Sequence, residues 1–307
     1  MKDSNVRIIE VGLRDGLQNE KAMLTIGERH ELARRLAMAG SREIELGAFV
    51  SHQSVPQMAG SAGLIAGIVK EKKVAQSVFK GVRLSALVPN ARGLEGAFAS
   101  GVERIAIFAS ASETFSRKNI NCTIKESFVR YKAVINEAKS RGLTVRGYLS
   151  MVFGCPFEGK VSEKKAVAYA AKLQDIGCDE VSIGDTIGVA DPAQVRRIGK
   201  AIKAEIGSQN LAMHFHDTRG TALANIVASL DIGIRSFDSS IGGLGGCPYA
   251  PAATGNVATE DVVYMLHRMG FKTGLDLTQL IETARWLEPK MKHELPSKLS
   301  RAGLPLG

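Results

Sequence analysis

Two histidines two residues apart close an apolar run and are followed by a carboxylate, in the stretch Leu211-Ala212-Met213-His214-Phe215-His216-Asp217. Residues two apart on a β-strand point to the same face, so a strand here aims both imidazoles into one space. Neutral imidazole is the commonest protein ligand of metal ions. The spacing of His214 and His216 therefore predicts a divalent cation site. The alternative is a pair of strand histidines satisfied by backbone hydrogen bonds.

The elements that must position these histidines follow a repeating order of amphipathic helix, glycine and short apolar strand. Glycine just past a helix end is the expected stop signal. Helix starts are marked by the capping box Thr25-x-x-Glu28 and by the N-cap pair Asp191-Pro192. Strands are predicted over residues 6–13, 43–46, 83–88, 104–108, 145–152, 180–183, 211–216 and 236–241.

Eight strands separated by helices are the count of a (β/α)₈ TIM barrel, an α/β fold, with a doubly wound open sheet as the rival. Two further helices are predicted near residues 260–269 and 277–287. The sequence contains no Pro/Ser-rich linker and no low-complexity segment. We therefore expect one domain over residues 1–307, with the barrel at about 6–258 and additional C-terminal helices at about 259–300.

In a barrel, the carboxyl ends of all strands meet at one rim, where active sites form. The chemically unusual side chains of this chain lie at the carboxyl ends of the predicted strands or shortly after them: Arg14, Asp15, Glu45, Asp185, His214, His216 and Asn256. Asp15, the two histidines and the Asn256 amide oxygen can share one cation there. Such mixed ligation suits Mg²⁺ or Mn²⁺, although two histidines and a carboxylate also form non-haem Fe(II) sites. Loop capping explains Asp15 or Asp185 better when each is taken singly, but it does not explain the set.

Cys247 lies in a glycine-rich stretch, Gly242-Gly243-Leu244-Gly245-Gly246-Cys247-Pro248-Tyr249. Neither G-x-x-x-x-G-K-[ST] nor a G-x-G-x-x-G motif after a first strand is present. We interpret the stretch as a flexible lid that carries a reactive thiol over the metal site. A phosphate-binding loop and a buried, inert cysteine are the alternatives.

Composition argues against several classes of protein. The net charge is +9, but the basic residues are scattered and aromatic residues make up only 6%, which disfavours nucleic acid as a partner and a polyanion-binding protein, the non-enzyme alternative. A solvated surface explains the charge, followed by a phosphorylated small substrate. Without a long apolar run or a signal-peptide pattern, we expect no membrane association. Four widely spaced cysteines predict free thiols in the cytoplasm.

Several stretches closely resemble the signature of the 3-hydroxy-3-methylglutaryl-CoA lyase family. They are VGLRDGLQNE at 11–20, FVS at 49–51 with VPQM at 55–58, GDTIG at 184–188, HFHDT at 214–218, GGCPYA at 245–250 and GNVATED at 255–261. The resemblance extends over about residues 6–300. It implies a TIM barrel of the metal-dependent lyases and aldolases.

The resemblance also implies roles for individual residues. It makes Arg14 the substrate-activating cation and Cys247 the loop thiol used in catalysis, and it places Glu45 and Asp185 at acidic positions that line the same cavity. The metal ligands that it implies are Asp15, His214, His216 and Asn256.

Substrate contacts are expected from Arg14, Gln18 and Lys21. Lys21 is a candidate contact for the phosphates of CoA, or else an exposed surface lysine. Gly47-Ala48 and His52-Gln53-Ser54 depart from the family pattern near the expected substrate position. These departures bear on acyl specificity more than on chemistry.

The implied reaction cleaves 3-hydroxy-3-methylglutaryl-CoA to acetyl-CoA and acetoacetate, as in leucine degradation. A divalent cation acidifies the tertiary hydroxyl, Arg14 opposes the enolate charge, and Cys247 protonates the carbanion. Asp15 and His214 are both candidates for the base. The alternatives are a lyase for a longer-branched 3-hydroxyglutaryl-CoA or for citramalyl-CoA, and a condensing enzyme like the isopropylmalate and homocitrate synthases. Analogy with relatives predicts a homodimer.

Overall fold

The predicted barrel is present in the structure. The computed structural model describes residues 4–246 and 255–305, and its eight parallel strands form a closed barrel in which each strand pairs with the next. The strands are β1 (Arg7–Glu10), β2 (Glu43–Ala48), β3 (Arg83–Leu87), β4 (Arg104–Ser110), β5 (Thr144–Ser150), β6 (Glu180–Asp185), β7 (Leu211–Phe215) and β8 (Ser236–Ser239). β1 pairs with β8, from Arg7 opposite Ser236 to Glu10 opposite Ser239. This closure excludes the open sheet and confirms the TIM barrel.

Helices lie between successive strands and follow the last one. The described helices are α1 (Ile26–Met38), α2 (Ser61–Lys72), α3 (Ala91–Ser100), α4 (Glu113–Ile120), α5 (Ile124–Ser140), α6 (Glu163–Asp175), α7 (Pro192–Ile206), α8 (Ala222–Asp231), α9 (Thr259–Arg268), α10 (Leu277–Met291) and α11 (Lys298–Ala302). Both α4 and α5 lie between β4 and β5, and α9 to α11 follow β8. α9 begins at the residue where we place the start of the C-terminal extension. That the chain forms a single domain stays a prediction.

Both predicted helix starts are confirmed. At α1, Thr25 Oγ1 accepts from the Glu28 amide at 3.1 Å, and the Glu28 carboxylate accepts from the Thr25 amide at 2.9 Å. At α7, Asp191 accepts from the amides of Ala193 and Gln194 at 2.8 and 2.9 Å. Within the described residues, no helix is both long enough and apolar enough to cross a lipid bilayer.

Charged side chains fill the amino-terminal half of the barrel interior. Arg104 pairs with Glu43 and Glu180, and Arg146 Nε lies 2.7 Å from Glu180 Oε1. These four side chains are at most 4% exposed, whereas barrel interiors are usually packed with branched apolar residues. Because each buried charge has an opposite partner, its desolvation cost is offset. This ion-pair network forms the layer beneath the carboxyl end of the barrel.

The segment after β1 differs from the prediction. The strand expected over residues 6–13 ends at Glu10, and Gly12–Gly16 form a π-helical turn whose amides donate to the Val11 carbonyl oxygen. The buried Glu10 side chain explains the change, because its Oε1 accepts from the Gly12 amide at 2.8 Å and from the Ile241 amide at 2.9 Å. These bonds tie the loop after β1 to the loop after β8.

The buried Glu10 carboxyl group predicts a pH dependence of stability. Burial raises the pKa of Glu10 from 4.5 to about 7, against the hydrogen bonds that it accepts. Between these two values the folded chain holds a proton that the unfolded chain releases. The free energy of unfolding therefore falls as the pH rises through this window, by about 3 kcal/mol in all. Glu260, whose pKa burial raises to about 8, adds to the fall.

We expect Glu10→Gln to reduce this fall when urea unfolding is compared at about pH 4.5 and about pH 7.5. Glutamine keeps an oxygen for the two backbone amides. Its amide group can donate to the Thr259 hydroxyl, which lies 2.7 Å from Glu10 and 2.8 Å from the Ser239 hydroxyl. The control is Glu28→Gln, because hydrogen bonds from Thr25 lower the pKa of Glu28 to about 2, below this window. An unchanged pH dependence in Glu10→Gln would contradict the prediction.

Candidate active site at the carboxyl end of the barrel

Three side chains that are far apart in the sequence meet at the carboxyl end of the barrel. Asp15 Oδ2 lies 3.8 Å from His214 Nε2 and 3.9 Å from His216 Nε2. One ligand atom from each residue lies within 4.8 Å of the other two, and the imidazole centroids are 5.2 Å apart. The spacing of the histidines thus brings both rings to one space, where Asp15 joins them.

β7 and its neighbours position the two histidines. His214 lies within β7, and His216 follows the end of the strand, where its backbone forms a β-bridge with Asn256. The His216 amide donates to the Asp185 carbonyl oxygen at 3.3 Å, which anchors it to the end of β6. Backbone pairing therefore places Asn256 beside the histidines.

The side chain of Asn256 completes this cluster. Its Nδ2 donates to Asp15 Oδ2 at 3.0 Å and to the Leu244 carbonyl oxygen at 3.1 Å. Its Oδ1 and the Nδ1 of His216 are buried without a hydrogen-bond partner among the described residues. Buried polar atoms are rarely left unpaired, and a half turn of the amide exchanges this oxygen with Nδ2 beside Asp15. A carboxylate, an amide oxygen and two imidazoles together fit a divalent metal ion.

Arg14 lies against this cluster and is buried. Its Nε donates to Glu45, its Nη1 donates to Asp15, and its guanidinium carbon lies 5.2 Å from the centroid of the Tyr148 ring. Burial opposes the charge on Asp15, but the Arg14 charge and the nearby histidines outweigh it and hold the pKa of Asp15 well below its usual range. Asp15 is therefore an anion at neutral pH, as a carboxylate ligand of a metal must be.

Buried polar side chains cross the barrel beneath the cluster. Tyr148 Oη donates to Glu45 Oε2 at 2.8 Å and accepts from Arg146 Nη1 at 3.1 Å. Arg146 Nη2 donates to Asp238 Oδ1 at 2.6 Å, and Asp238 Oδ2 lies 3.2 Å from His214 Nδ1. Burial acts to raise the pKa of Asp238, but the Arg146 charge and the His214 contact outweigh it and lower that pKa to about 2. Hydrogen bonds through Tyr148 and Arg146 thus connect Glu45, which accepts from Arg14, to Asp238, which contacts His214.

The residue patterns alone do not predict Tyr148, Arg146 or Asp238 as site residues. A signal for them exists, because Arg146-x-Tyr148 and Ser236-x-Asp238 place polar side chains on one face of β5 and of β8. A charged side chain on a buried strand needs an opposite partner. The partners lie on other strands, so only the closed barrel identifies them.

A cavity of about 480 Å³ opens over the cluster. Of the predicted residues, Arg14, Asp15, Gln18, His214 and His216 line it. Apolar side chains form much of the remaining wall, among them Val50, Val55, Leu87, Phe108 and Phe115. A concave space with a few convergent polar groups is typical of a small-molecule site.

Asp185 is the last residue of β6 and does not line the cavity. Its Oδ1 accepts from the Val189 amide at 2.9 Å, and its Oδ2 accepts from the Ala190 amide at 3.0 Å. Burial raises the pKa of this carboxyl group. The loop-capping interpretation accounts for both oxygens, and a catalytic role for Asp185 stays a prediction.

The other predicted residues differ in their access to the cavity. Glu45 is buried and does not line it, and its Oε1 accepts from Arg14 Nε. Lys21 is exposed and lies outside the cavity wall. Cys247 lies outside the described residues. The other three cysteines, at 122, 155 and 178, are free and buried.

The residues that depart from the family pattern also differ in whether they line the cavity. Ser54 lines the cavity. Gly47 does not, because a Cβ at this position would lie 2.4 Å from Ser61 Oγ and 2.9 Å from Arg29 Nη2. Packing between β2 and the neighbouring helices explains this glycine, and its bearing on acyl specificity stays a prediction.

A family model described as HMGL-like matches residues 5–287. The chain belongs to the HMGL-like family. A Pseudomonas aeruginosa relative, named 3-hydroxy-3-isohexenylglutaryl-CoA/hydroxy-methylglutaryl-CoA lyase, is 49% identical over 91% of this chain and 91% of its own. A mitochondrial hydroxymethylglutaryl-CoA lyase from Macaca fascicularis is 44% identical over 97% of this chain and 89% of its own.

Solved structures of HMGL-like family members match the barrel as a whole. Hydroxymethylglutaryl-CoA lyase from Pseudomonas aeruginosa superposes with a TM-score of 0.92 at 47% identity and covers 98% of this chain and 97% of its own. An HMG-CoA lyase from Acinetobacter baumannii, in complex with coenzyme A and 3-methylmalate, gives 0.91 at 33% identity, with 98% and 96% covered. The family resemblance inferred from the motifs is confirmed.

Proposed function

We propose that this chain is a divalent-metal-dependent lyase that cleaves 3-hydroxy-3-methylglutaryl-CoA to acetyl-CoA and acetoacetate. The observation that carries the proposal is one cavity that contains Asp15, His214 and His216 beside the buried guanidinium of Arg14. The family membership supports it, since relatives 45–49% identical are named hydroxymethylglutaryl-CoA lyases.

The reaction breaks the bond between C2 and C3 of the acyl chain. A base removes the proton of the C3 hydroxyl, a carbonyl forms at C3, and the bonding electrons move into the thioester as an enolate. Protonation at C2 then yields acetyl-CoA. Asp15, His214, His216 and Asn256 would hold a divalent cation, which would supply Lewis acidity that lowers the pKa of the hydroxyl. We propose Cys247 as the donor to C2 and Asp15 as the base, because the metal would take the lone pair of His214, the other candidate for the base.

Arg14 is proposed to stabilise the enolate. Arg14 Nε donates to Glu45 and Nη1 donates to Asp15, while Nη2 donates to no described residue. That nitrogen is available for the thioester oxygen, on which negative charge develops. Guanidinium stays protonated at any working pH, so the charge is in place before the bond breaks. Tyr148 and Glu45 act through Arg14 by fixing the orientation of its plane.

The CoA phosphates are proposed to bind on the wall of the cavity formed by the end of α4 and by α5. Lys118 and Arg130 line this wall, are exposed, and form no salt bridge with a described residue. Lys118 Nζ lies 5.1 Å from the centroid of the Phe157 ring, which limits the conformations of its side chain. Two unpaired cations beside an acyl site suit a phosphorylated thiol carrier.

We expect Lys118→Met combined with Arg130→Met to raise the KM for the CoA ester by at least about tenfold. The kcat should stay close to that of the wild type, because neither side chain contacts the metal cluster. The matched control is Lys21→Met, which removes an exposed positive charge outside the cavity wall. A higher KM in the control and an unchanged KM in the double variant would move the phosphate site to Lys21.

The direct test of the proposed function uses metal-free protein and 3-hydroxy-3-methylglutaryl-CoA. Acetoacetate should appear only after Mg²⁺ or Mn²⁺ is added. Absence of cleavage with any divalent metal, together with turnover of another CoA ester, would reassign the substrate. The first ester to compare is 3-hydroxy-3-isohexenylglutaryl-CoA, because the Pseudomonas aeruginosa relative is named for both activities.

The finer properties are also proposals. Mixed oxygen and nitrogen ligation supports Mg²⁺ or Mn²⁺ as the metal. A role in leucine degradation rests on the proposed reaction. Relatives named as cytoplasmic and as mitochondrial both occur, so the cytoplasm rests on the cysteine pattern alone. The homodimer rests on analogy.

A further inference from the structure

Asp238 is a buried carboxylate of β8 that the proposed reaction does not use directly. Its side chain is 0% exposed, and it makes three polar contacts within the barrel. Oδ1 accepts from Arg146 Nη2 at 2.6 Å, Oδ2 accepts from Ser182 Oγ at 2.9 Å, and Oδ2 also lies 3.2 Å from His214 Nδ1. An ionised carboxylate can only accept hydrogen bonds, so His214 Nδ1 must carry the proton in this contact.

The contact determines which nitrogen of His214 faces the cavity. A neutral imidazole carries a single proton, so a protonated Nδ1 leaves the lone pair on Nε2. His214 Nε2 is the atom 3.8 Å from Asp15 Oδ2. His216 has no such support, because its Nδ1 lies without a hydrogen-bond partner among the described residues. The two histidines are therefore held in different ways.

We propose that Asp238 is a positioning residue that keeps His214 in the Nδ1–H tautomer and so directs the Nε2 lone pair at the metal position. This inference rests on the proposed metal site. Carboxylates that orient ligand histidines are needed for full metal affinity in metalloproteins generally. Arg146 is the second part of the device, because its charge holds the carboxylate ionised and in place.

Asp238→Asn should reverse the tautomer while keeping the shape of the side chain. The Arg146 guanidinium can only donate, so the asparagine oxygen must face it. The amide nitrogen then faces His214 and donates to Nδ1, which moves the ring proton to Nε2 and removes the lone pair from the metal position. Ser182→Ala is the matched control, since it removes a neighbouring hydrogen bond to the same oxygen and leaves the charge.

The first measurement is Mn²⁺ binding to metal-free protein, followed through the electron paramagnetic resonance of free Mn²⁺. We expect Asp238→Asn to bind Mn²⁺ about 10–100-fold more weakly than the wild type, and Ser182→Ala to bind it almost normally. Equal affinity of the wild type and Asp238→Asn would overturn the inference and leave the metal site standing. Absence of Mn²⁺ binding to the wild type would overturn the metal site and the inference with it.

The second measurement needs no change at Asp238 and decides the matter even if Asp238→Asn does not fold. Long-range ¹H–¹⁵N correlation spectra of the metal-free wild type, labelled in its histidines, distinguish protonated from unprotonated ring nitrogens. The His214 signals are assigned by their loss in His214→Gln. A proton on Nδ1 is the expected result, and a proton on Nε2 would overturn the inference.

Discussion

Arg14→Lys should lower kcat by about 10²–10³-fold while the affinity for Mn²⁺ stays close to that of the wild type. A lysine has one nitrogen, whereas Arg14 uses Nε for Glu45 and Nη1 for Asp15 and keeps Nη2 for the substrate. The substituted ammonium group will pair with the two carboxylates and will not reach the enolate oxygen in the same geometry. The loss therefore falls on the transition state and not on the metal.

Kinetics and metal binding together check this prediction. Steady-state kcat is measured with saturating Mg²⁺, and Mn²⁺ affinity is measured in parallel. The control is Arg219→Lys, because Arg219 lies near the same rim and, among the described residues, donates only to the carbonyl oxygens of Ile187 and Gly188. A rate near that of the wild type in Arg14→Lys would remove Arg14 from enolate stabilisation.

Asp15→Asn should abolish both metal binding and turnover. Asp15 is the carboxylate in the described metal cluster, and its Oδ2 lies within 3.9 Å of both imidazoles. Loss of a supporting side chain typically costs about 10–100-fold in metal affinity, so loss of a charged ligand should cost at least about 100-fold. The substitution keeps the size of the side chain, and the barrel should remain folded.

Mn²⁺ titration and acetoacetate formation test this second prediction, with circular dichroism to verify the fold. Asp217→Asn is the control, because Asp217 follows His216 directly, and its carboxylate accepts from the Ala222 amide at 3.0 Å and lies 3.4 Å from Lys298 Nζ. Metal binding by Asp15→Asn at wild-type affinity would show that the cluster is not the metal site. Chelation of the wild type should give the same loss of turnover, reversible with Mg²⁺.

Local patterns predicted much of the fold because the forces behind them are local. The capping box at Thr25 and Glu28 and the Asp191 cap involve atoms within a few residues of each other, and both are present. The strand expected over residues 6–13 was too long, because a contact between residues distant in the sequence ends it. It ends early because Glu10 also binds the amide of Ile241, in the loop after the neighbouring strand β8, which is distant in the sequence and which no local pattern indicates.

In the candidate site too, features that depend on local geometry were predicted from the sequence, and contacts between distant strands were not. His214 and His216 share a face because strand geometry repeats every two residues, and the sequence alone is enough to infer this. The sequence alone also indicated that Asp185 could cap its own loop. This alternative accounts for both of its carboxylate oxygens, which accept from backbone amides of the loop. The sequence alone could not identify Asp238 as a site residue, because its role depends on contacts with Arg146 and His214, which lie on other strands.

By itself, the sequence determined the order of strands and helices, the family, and which polar residues lie at the carboxyl rim of the barrel. Those properties follow from the spacing of residues and from the motifs of this chain. Only the tertiary structure decided that Asp15 meets the histidines, that Arg14 is held by Glu45, and that Lys118 and not Lys21 lines the cavity. The physical reason is closure of the barrel, which brings side chains of distant strands within hydrogen-bond distance and leaves others in solvent.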